Sequence, residues 1–582
     1  MTNAVLIFTF SPVQSFIAEA RRSEDLFNGS AILSRLAWAA GEAIKSAGTL
    51  IYPADLQKHD TPNVLVARIP VEQAQEIAQN AKRALLEEWQ AIAEAARKKA
   101  RLEEDDHWER IWKRQIVEAP PWQIFWAVAP ETKNYARAYE TARDLLERAK
   151  RSRLFDQCEE EGEKDSLSGA RAALRTQRYK TAREYWEAMS KKQHILPSKV
   201  RPGGCELLDS IALVKRFWEG AEREFPSTST VAAWDFYQEA KQKAPDELRR
   251  YREELEKLPL YQARRSDEIF PYDGDLFFEE TLTRQRIKDS YGVEVDEATL
   301  RRLRDLLKDL IKKTQKSPSP YYMLIQFDGD GVGAKIDHLL EDKEKAEEKH
   351  RCFSQNLADF SKKVQEIVKP EAGGFLIYNG GDDVLLLVSR EKGLELVRQL
   401  AEEYQNIVGQ GLNILATASV GVVIAHHLTP LGRVLNLLRQ AERSAKDAGK
   451  KDDLGNKGIV CVTLARRGGE ALTAHSPWEN IRNVSKWVRA FQNDDVSAVF
   501  PYALARETET LQGLKSEAIT SVVRYLFSRH TGEKVSEDRK RELLKTLTEW
   551  HKAIEEKIGA SAMGEIARWL IIARFLASGG AE

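Results

Sequence analysis

The chain has 582 residues, with 89 Lys and Arg against 90 Asp and Glu, so its formal charge is −1. With 42% hydrophobic residues and 13 Trp it has the makings of packed cores rather than of a disordered chain, and its length suits roughly three to five domains. The charge balance excludes a wholly basic nucleic-acid binder but leaves room for local basic strips. No basic residue precedes the first apolar stretch, so no signal peptide is read there. No apolar run reaches the roughly 18 residues of a membrane-spanning helix, and a cytoplasmic location is expected. Cys158, Cys205, Cys352 and Cys461 are far apart and form no C-x-x-C pair.

In chain order, residues 4–10 read as a short buried strand, broken by Ser11-Pro12. An amphipathic helical stretch follows from about Ser15. Strands are read at 51–52 and 64–67, helix at 71–101 and another strand at 122–128, which together describe an α+β unit. From 135 to 196 the chain is charged and helical with a break at 162–169, and Pro202-Gly203-Gly204 breaks it again. Residues 231–310 are mostly helical. Arg301, Arg302, Arg304, Lys308, Lys312 and Lys313 form a basic cluster there, either a solvated helix face or an RNA-facing strip. Strands at 322–327, 375–378, 384–388, 414–425 and 459–463 then alternate with helices at 344–368, 391–408 and 433–448. The order is βαββαβαβ, whose first part is the ferredoxin-like pattern of polymerase and cyclase palms. Beyond 470 helix is expected to the end, with 567–577 largely buried.

The residues that carry chemistry lie in this last sheet. Asp328 ends its first strand, and Asp382-Asp383 follow Gly380-Gly381 in the hairpin between the next two. In a βαββαβ sheet the first strand lies beside the third, which brings Asp328 near Asp382 and Asp383. Converging carboxylates suit Mg²⁺ or Mn²⁺ bound with substrate phosphates. Two such ions, roughly 4 Å apart, activate a hydroxyl and steady a leaving pyrophosphate. Gly380 and Gly381 permit a tight hairpin and close approach of a nucleotide. Gly329, Gly331 and Gly333 leave backbone N–H groups open to a triphosphate. Asp330 is either a third ligand or a turn residue. Lys446 is either a phosphate partner or a solvated lysine, and Ser419 either a binding residue or a small core-side one. His426-His427 are adjacent in a strand and are read as facing opposite ways, so one metal is not expected to take both. His59-Asp60 lies in a Pro-bounded loop without the further His and Asp residues of an HD nuclease.

These residues and their surroundings resemble the large signature subunit of type III CRISPR effector complexes, in its Cmr (type III-B) branch. Phe10-Ser11-Pro12-Val13-Gln14-Ser15-Phe16-Ile17, Ala20-Arg21-Arg22, Asp25-Leu26 and Gly29-Ser30 are similar to that family's first palm. Gly169 to Arg175 and Leu213-Val214-Lys215-Arg216-Phe217 are similar to segments that follow it. Asp328-Gly329-Asp330, Tyr378 to Asp383, Ala418-Ser419-Val420-Gly421, Ile424-Ala425-His426, Pro430-Leu431 and Ala445-Lys446 match its second palm. The resemblance divides the chain into a degenerate first palm (1–134), a zinc-finger-like region (135–229), a helical domain (230–317), a catalytic second palm (318–470) and a C-terminal helical domain (471–582).

It implies a target-RNA-activated nucleotidyltransferase in antiviral defence that makes cyclic oligoadenylates with 3′–5′ links from ATP. The partners implied are other Cmr subunits, crRNA and target RNA. Asp328, Asp382 and Asp383 would carry the metals, and Gly29-Ser30 would help to hold the acceptor ATP. Two departures bear on this. The first-palm motif begins within ten residues of the N-terminus, so no HD-type DNase is expected. Lys164-Asp165-Ser166-Leu167-Ser168-Gly169 stands where relatives carry Lys-Cys-x-x-Cys-Gly, so zinc binding there is not expected. The alternatives are a catalytically silent scaffold subunit, a synthase joining AMP to a cosubstrate such as S-adenosylmethionine, and a stand-alone diguanylate-type cyclase. The additional, degenerate first palm and the long helical regions speak against the last.

Overall fold

The computed structural model describes residues 2–152, 159–220, 225–260, 269–511, 514, 516–559 and 562–579. Two sheets organise it. The first contains β1 (Asn3–Ser11), β2 (Thr49–Tyr52), β3 (Val64–Pro70) and β4 (Gln123–Pro130) in the order β2-β3-β1-β4, every pair antiparallel. Helix Ser23–Lys45 joins β1 to β2, and helix Ala74–Ala100 lies between β3 and β4. This is a ferredoxin-like βαββαβ unit.

The second sheet repeats the plan and extends it. Its strands are β5 (Tyr321–Gly329), β6 (Gly374–Asn379), β7 (Asp383–Ser389), β8 (Ala418–His426), β9 (Ile459–Ala465) and β10 (Leu472–Pro477), in the order β10-β9-β8-β5-β7-β6. Helix Leu431–Ala448 crosses between β8 and β9, which are parallel. Along β5, Tyr322 and Leu324 enter one core with the first palm and the middle helices. Met323, Ile325 and Phe327 enter the other, with the C-terminal helices. Both faces are covered, which is why these strands read as continuous apolar runs.

The middle region packs helices Ser210–Phe217, Trp234–Lys243, Pro245–Glu256 and Glu297–Thr314 between the sheets. In Glu297–Thr314, Leu300, Leu303, Leu307 and Leu310 are buried. On its outer side Arg302 meets Glu254 at 3.1 Å and Lys308 meets Glu279 at 3.3 Å. At the zinc-finger-like stretch, Asp165 Oδ1 accepts from Leu167 N and Ser168 N at 2.8 and 2.6 Å. Ser168 Oγ donates to Asp165 Oδ2 at 2.5 Å, so hydrogen bonds close this turn.

Two elements depart from the sequence reading. Helix Val332–Leu340 follows β5 directly, where only a glycine loop was read. β10 lies beyond residue 470, where helix was expected. Its partner β9 makes it an edge strand, and its Pro477 sits at the strand end where a missing N–H is tolerated. No helix among the described residues is long and apolar enough to cross a membrane.

Candidate active site

β6 and β7 turn through Asn379 to Asp383. Gly380 N–H donates to Asp383 O at 2.8 Å, and Gly381 sits at φ +95°, which glycine adopts without strain. Asn379 Nδ2 anchors the turn on Ser361 O at 2.9 Å. β5 pairs Asp328 with Asp383 on one side and with Ser419 on the other. Gly329 N–H donates to Asp382 O at 2.8 Å. The structure thus brings Asp328, Asp382 and Asp383 together at the end of β5. A Cβ at position 329 would stand 2.1 Å from Tyr404 Oη and 3.2 Å from Asp382 Cβ.

Crowding and partial burial raise all three carboxyls. Asp382 is pushed up to about 6, by burial and then by Asp328. Burial, Asp328 and Asp382 hold Asp383 well above the usual carboxylate range. Burial also raises Asp328, against the pull of Lys446. Lys446 Nζ lies 2.9 Å from Asp328 Oδ2 and 2.5 Å from Glu442 Oε1. Burial acts to lower its pKa, but these two carboxylates outweigh that and leave it above the ordinary lysine value. Gln326 Nε2 donates to Asp383 Oδ1 at 2.5 Å.

A hard divalent cation fits this donor set. The ligands are oxygens, their like charges raise one another, and an ammonium already bridges Asp328 and Glu442.

The remaining expected residues divide. Asp330 is buried and committed. Its oxygens accept from Ser419 Oγ at 2.5 Å, Thr417 Oγ1 at 2.7 Å, Gly458 N at 2.9 Å and Lys457 N at 3.2 Å. Asp330 and Ser419 thus tie β5 to β8 and to the start of β9. Gly331 packs against the 454–455 backbone, where an added Cβ would stand 2.1 Å from Leu454 O. Gly333 is exposed in the first turn of Val332–Leu340, with open space around it. Gly29 and Ser30 lie on the helix that joins β1 to β2. Both are buried inside helix Ser23–Lys45, with Gly29 against Ile17 and Lys215. At Gly29 the helix packs on Ser210–Phe217 through Lys215.

The contacts of the N-terminal motif show what it holds in place. Arg216, fully buried, grips Asp25 at 2.6 and 2.7 Å and Glu206 at 3.0 Å. Lys215 Nζ donates to Phe16 O and, at 3.0 Å, to Glu19 O. Asn28 Nδ2 donates to Lys215 O at 2.8 Å. These bonds fix the short helix Gln14–Ala18, which forms one wall of a cleft of about 550 Å³ counted with its mouth. Gln326, Asp383, Arg439 and Glu442 form the other wall. Arg439 Nη2 bridges it by donating to Gln14 O at 3.1 Å. A second cleft places Tyr52, Asp55 and Asp60 of the first palm opposite Gly380 and Gly381.

Gln326, Glu442, Arg439 and Tyr404 belong to the site and were not read from the sequence. Two of them left a signal: Gln326 is two residues before Asp328, on the same strand face, and Glu442 is one helical turn before Lys446.

Residues 321–455 match the family model of the Cas10/Cmr2 second palm domain, and residues 5–94 match that of the CRISPR-associated protein Cmr2 N-terminal domain. A curated relative, the CRISPR system Cmr subunit Cmr2 of Pyrococcus furiosus, is 29% identical over 236 residues. The aligned region spans 36% of this chain and 26% of that protein. Among solved structures, the chain is similar to one of the type III-B Cmr-beta in its apo state, with a TM-score of 0.65 and 14% identity over 99% of this chain and 82% of that one. It is also similar to one of type III-B Cmr-beta bound to cognate target RNA, with a TM-score of 0.64 and 13% identity over 98% of this chain and 83% of that one. At these identities the two structures speak for the fold. The second palm is thus similar to that of Cas10/Cmr2, and the N-terminal region to that of Cmr2.

Proposed function

We propose that this chain is the nucleotide-joining large subunit of a type III-B (Cmr) RNA-guided complex and makes cyclic oligoadenylates from ATP when crRNA pairs with target RNA. The observation that carries the reading is the meeting of Asp328, Asp382 and Asp383 at the end of β5, beside a cleft between two palms. In the reaction a 3′-hydroxyl attacks the α-phosphorus of ATP, the bond between the α-phosphorus and the bridging oxygen breaks, and pyrophosphate leaves. The three aspartates would hold Mg²⁺ or Mn²⁺, which supplies activation of the hydroxyl and neutralisation of the leaving group.

The chain's own groups do the positioning. Lys446 swings from Asp328 to a phosphate oxygen. Gln326 keeps Asp383 oriented through its bond to Oδ1. Gly333 keeps the N-terminal turn of Val332–Leu340 clear for phosphate. The Gln14–Ala18 wall and Arg439 receive the second nucleotide. Other Cmr subunits and the two RNAs are the proposed partners. The likeness to a Cmr-beta structure bound to cognate target RNA supports that part of the reading.

The test is incubation of the reconstituted complex with labelled ATP and Mg²⁺, with and without matched target RNA. Cyclic oligoadenylates that require RNA and vanish in the Asp382→Ala, Asp383→Ala double variant are expected. Product that persists in the variant contradicts the site. A wild type silent with every nucleotide indicates a scaffold, product without RNA a free-standing cyclase, and a methionine-containing product S-adenosylmethionine as cosubstrate.

A further inference from the structure

We propose that Glu280, His426 and His427 form a transition-metal site, best suited to Zn²⁺, that staples the helical region to the second palm. The sequence argues against this, because neighbouring residues in a strand face opposite ways. The structure removes that objection. β8 ends at His426, and His427 leaves it in a turn, its N–H donating to Pro320 O at 2.8 Å. The two rings then stack, with centroids 4.8 Å apart, and both Nε2 atoms approach the same carboxylate oxygen.

The distances match a metal's coordination shell. His426 Nε2 is 3.3 Å and His427 Nε2 3.6 Å from Glu280 Oε1. Ligands about 2.0–2.1 Å from a tetrahedral Zn²⁺ stand about 3.3 Å apart. Among the described residues this is the one group of three or more His, Cys, Asp or Glu whose ligand atoms all lie within 4.8 Å of one another. His427 is buried, and its Nε2 has no hydrogen-bond partner. A buried nitrogen left without a partner is costly unless something binds it.

The surroundings orient the ligands. Ser229 Oγ lies 2.9 Å from His427 Nδ1; a proton held there leaves Nε2 as the lone-pair donor. Phe278 stacks on the His427 ring at 4.2 Å. Arg467 holds the other oxygen of Glu280 at 3.1 Å. His426 Nδ1 accepts from Leu428 N–H at 3.2 Å, so in the neutral ring its proton sits on Nε2. Metal capture moves that proton to Nδ1 and gives up the Leu428 bond, a cost that lowers affinity without blocking the site. The half-exposed Glu280 carboxylate gives the ion a path from solvent, and water completes the coordination.

The site is separate from the acidic cluster, and its test is separable too. The full chain is stripped with a chelator, desalted and titrated with Zn²⁺ against a competing indicator, with Co²⁺ as the spectroscopic probe. One tight zinc per chain, with tetrahedral Co²⁺ bands, is expected for the wild type and for the Asp382→Ala, Asp383→Ala variant. Glu280→Gln and His427→Asn should each raise the Kd roughly tenfold or more. Should His427→Asn not fold, Glu280→Gln decides, because its side chain is at the surface. Absence of tight zinc from the wild type, or equal binding by Glu280→Gln, overturns the proposal.

Discussion

At the scale of single residues, Gly329 and Asp330 do different work at the end of one strand. Gly329 lets the backbone pass between Tyr404 and Asp382. Gly329→Ala should therefore cost about 1–3 kcal/mol of stability by overpacking and displace Asp382; denaturant melts with ATP turnover on the folded fraction would check both. Asp330 is a clamp. Asp330→Ala leaves buried donors unpaired and should cost about 3 kcal/mol or more. Asp330→Asn, once folded, should bind divalent metal as the wild type does. A lost metal affinity in folded Asp330→Asn would return this residue to the ligand set. The three carboxylates were legible in the sequence because strand order alone brings them together. Asp330 and Ser419 were not resolved, because only the cross-strand register reveals that they bond to each other.

At the scale of elements, the motif between Phe10 and Ser30 was legible as a unit, but its purpose was not. Its partners, Glu206, Lys215 and Arg216, lie nearly two hundred residues later. The buried Arg216–Asp25–Glu206 set shows how much it matters. Arg216→Ala strands the Asp25 carboxylate in the core, leaves Glu206 to Arg22 and should cost about 3–5 kcal/mol. It should also free Gln14–Ala18 from the cleft wall, read as faster hydrogen exchange confined first to residues 14–30. Unchanged exchange there would separate the motif from the cleft. Helix Val332–Leu340 and β10 escaped the sequence reading for a related reason. Each is short, and tertiary partners rather than periodicity make it regular.

At the scale of the whole molecule, two palms face each other across the acidic hairpin. Part of their contact is His350, on helix Ala346–Ile367, bonded through Nδ1 to Tyr135 Oη at 2.8 Å and edged by the Tyr139 ring at 4.9 Å. Burial pushes His350 down to about 4. An unfolded histidine titrates near 6.5, so its buried neutral form contributes full stability above about pH 6.5, lost as pH falls toward 4. The loss should reach about 3 kcal/mol. His350→Asn should flatten the fall in unfolding free energy between about pH 6.5 and 4; an unchanged slope would assign it to other groups. The α+β class and both palm patterns were legible because alternation and βαββαβ order survive in sequence. The two clefts and the Glu280–His426–His427 cluster were not, because they arise only where separate domains meet. The most direct test of the central claim is pyrophosphate release from ATP by the RNA-activated complex, comparing the wild type with Asp382→Asn, Asp383→Asn, which keeps the hairpin's shape. Release that falls by about a hundredfold or more in the variant is expected. Release undiminished in a folded, assembled variant would contradict the account.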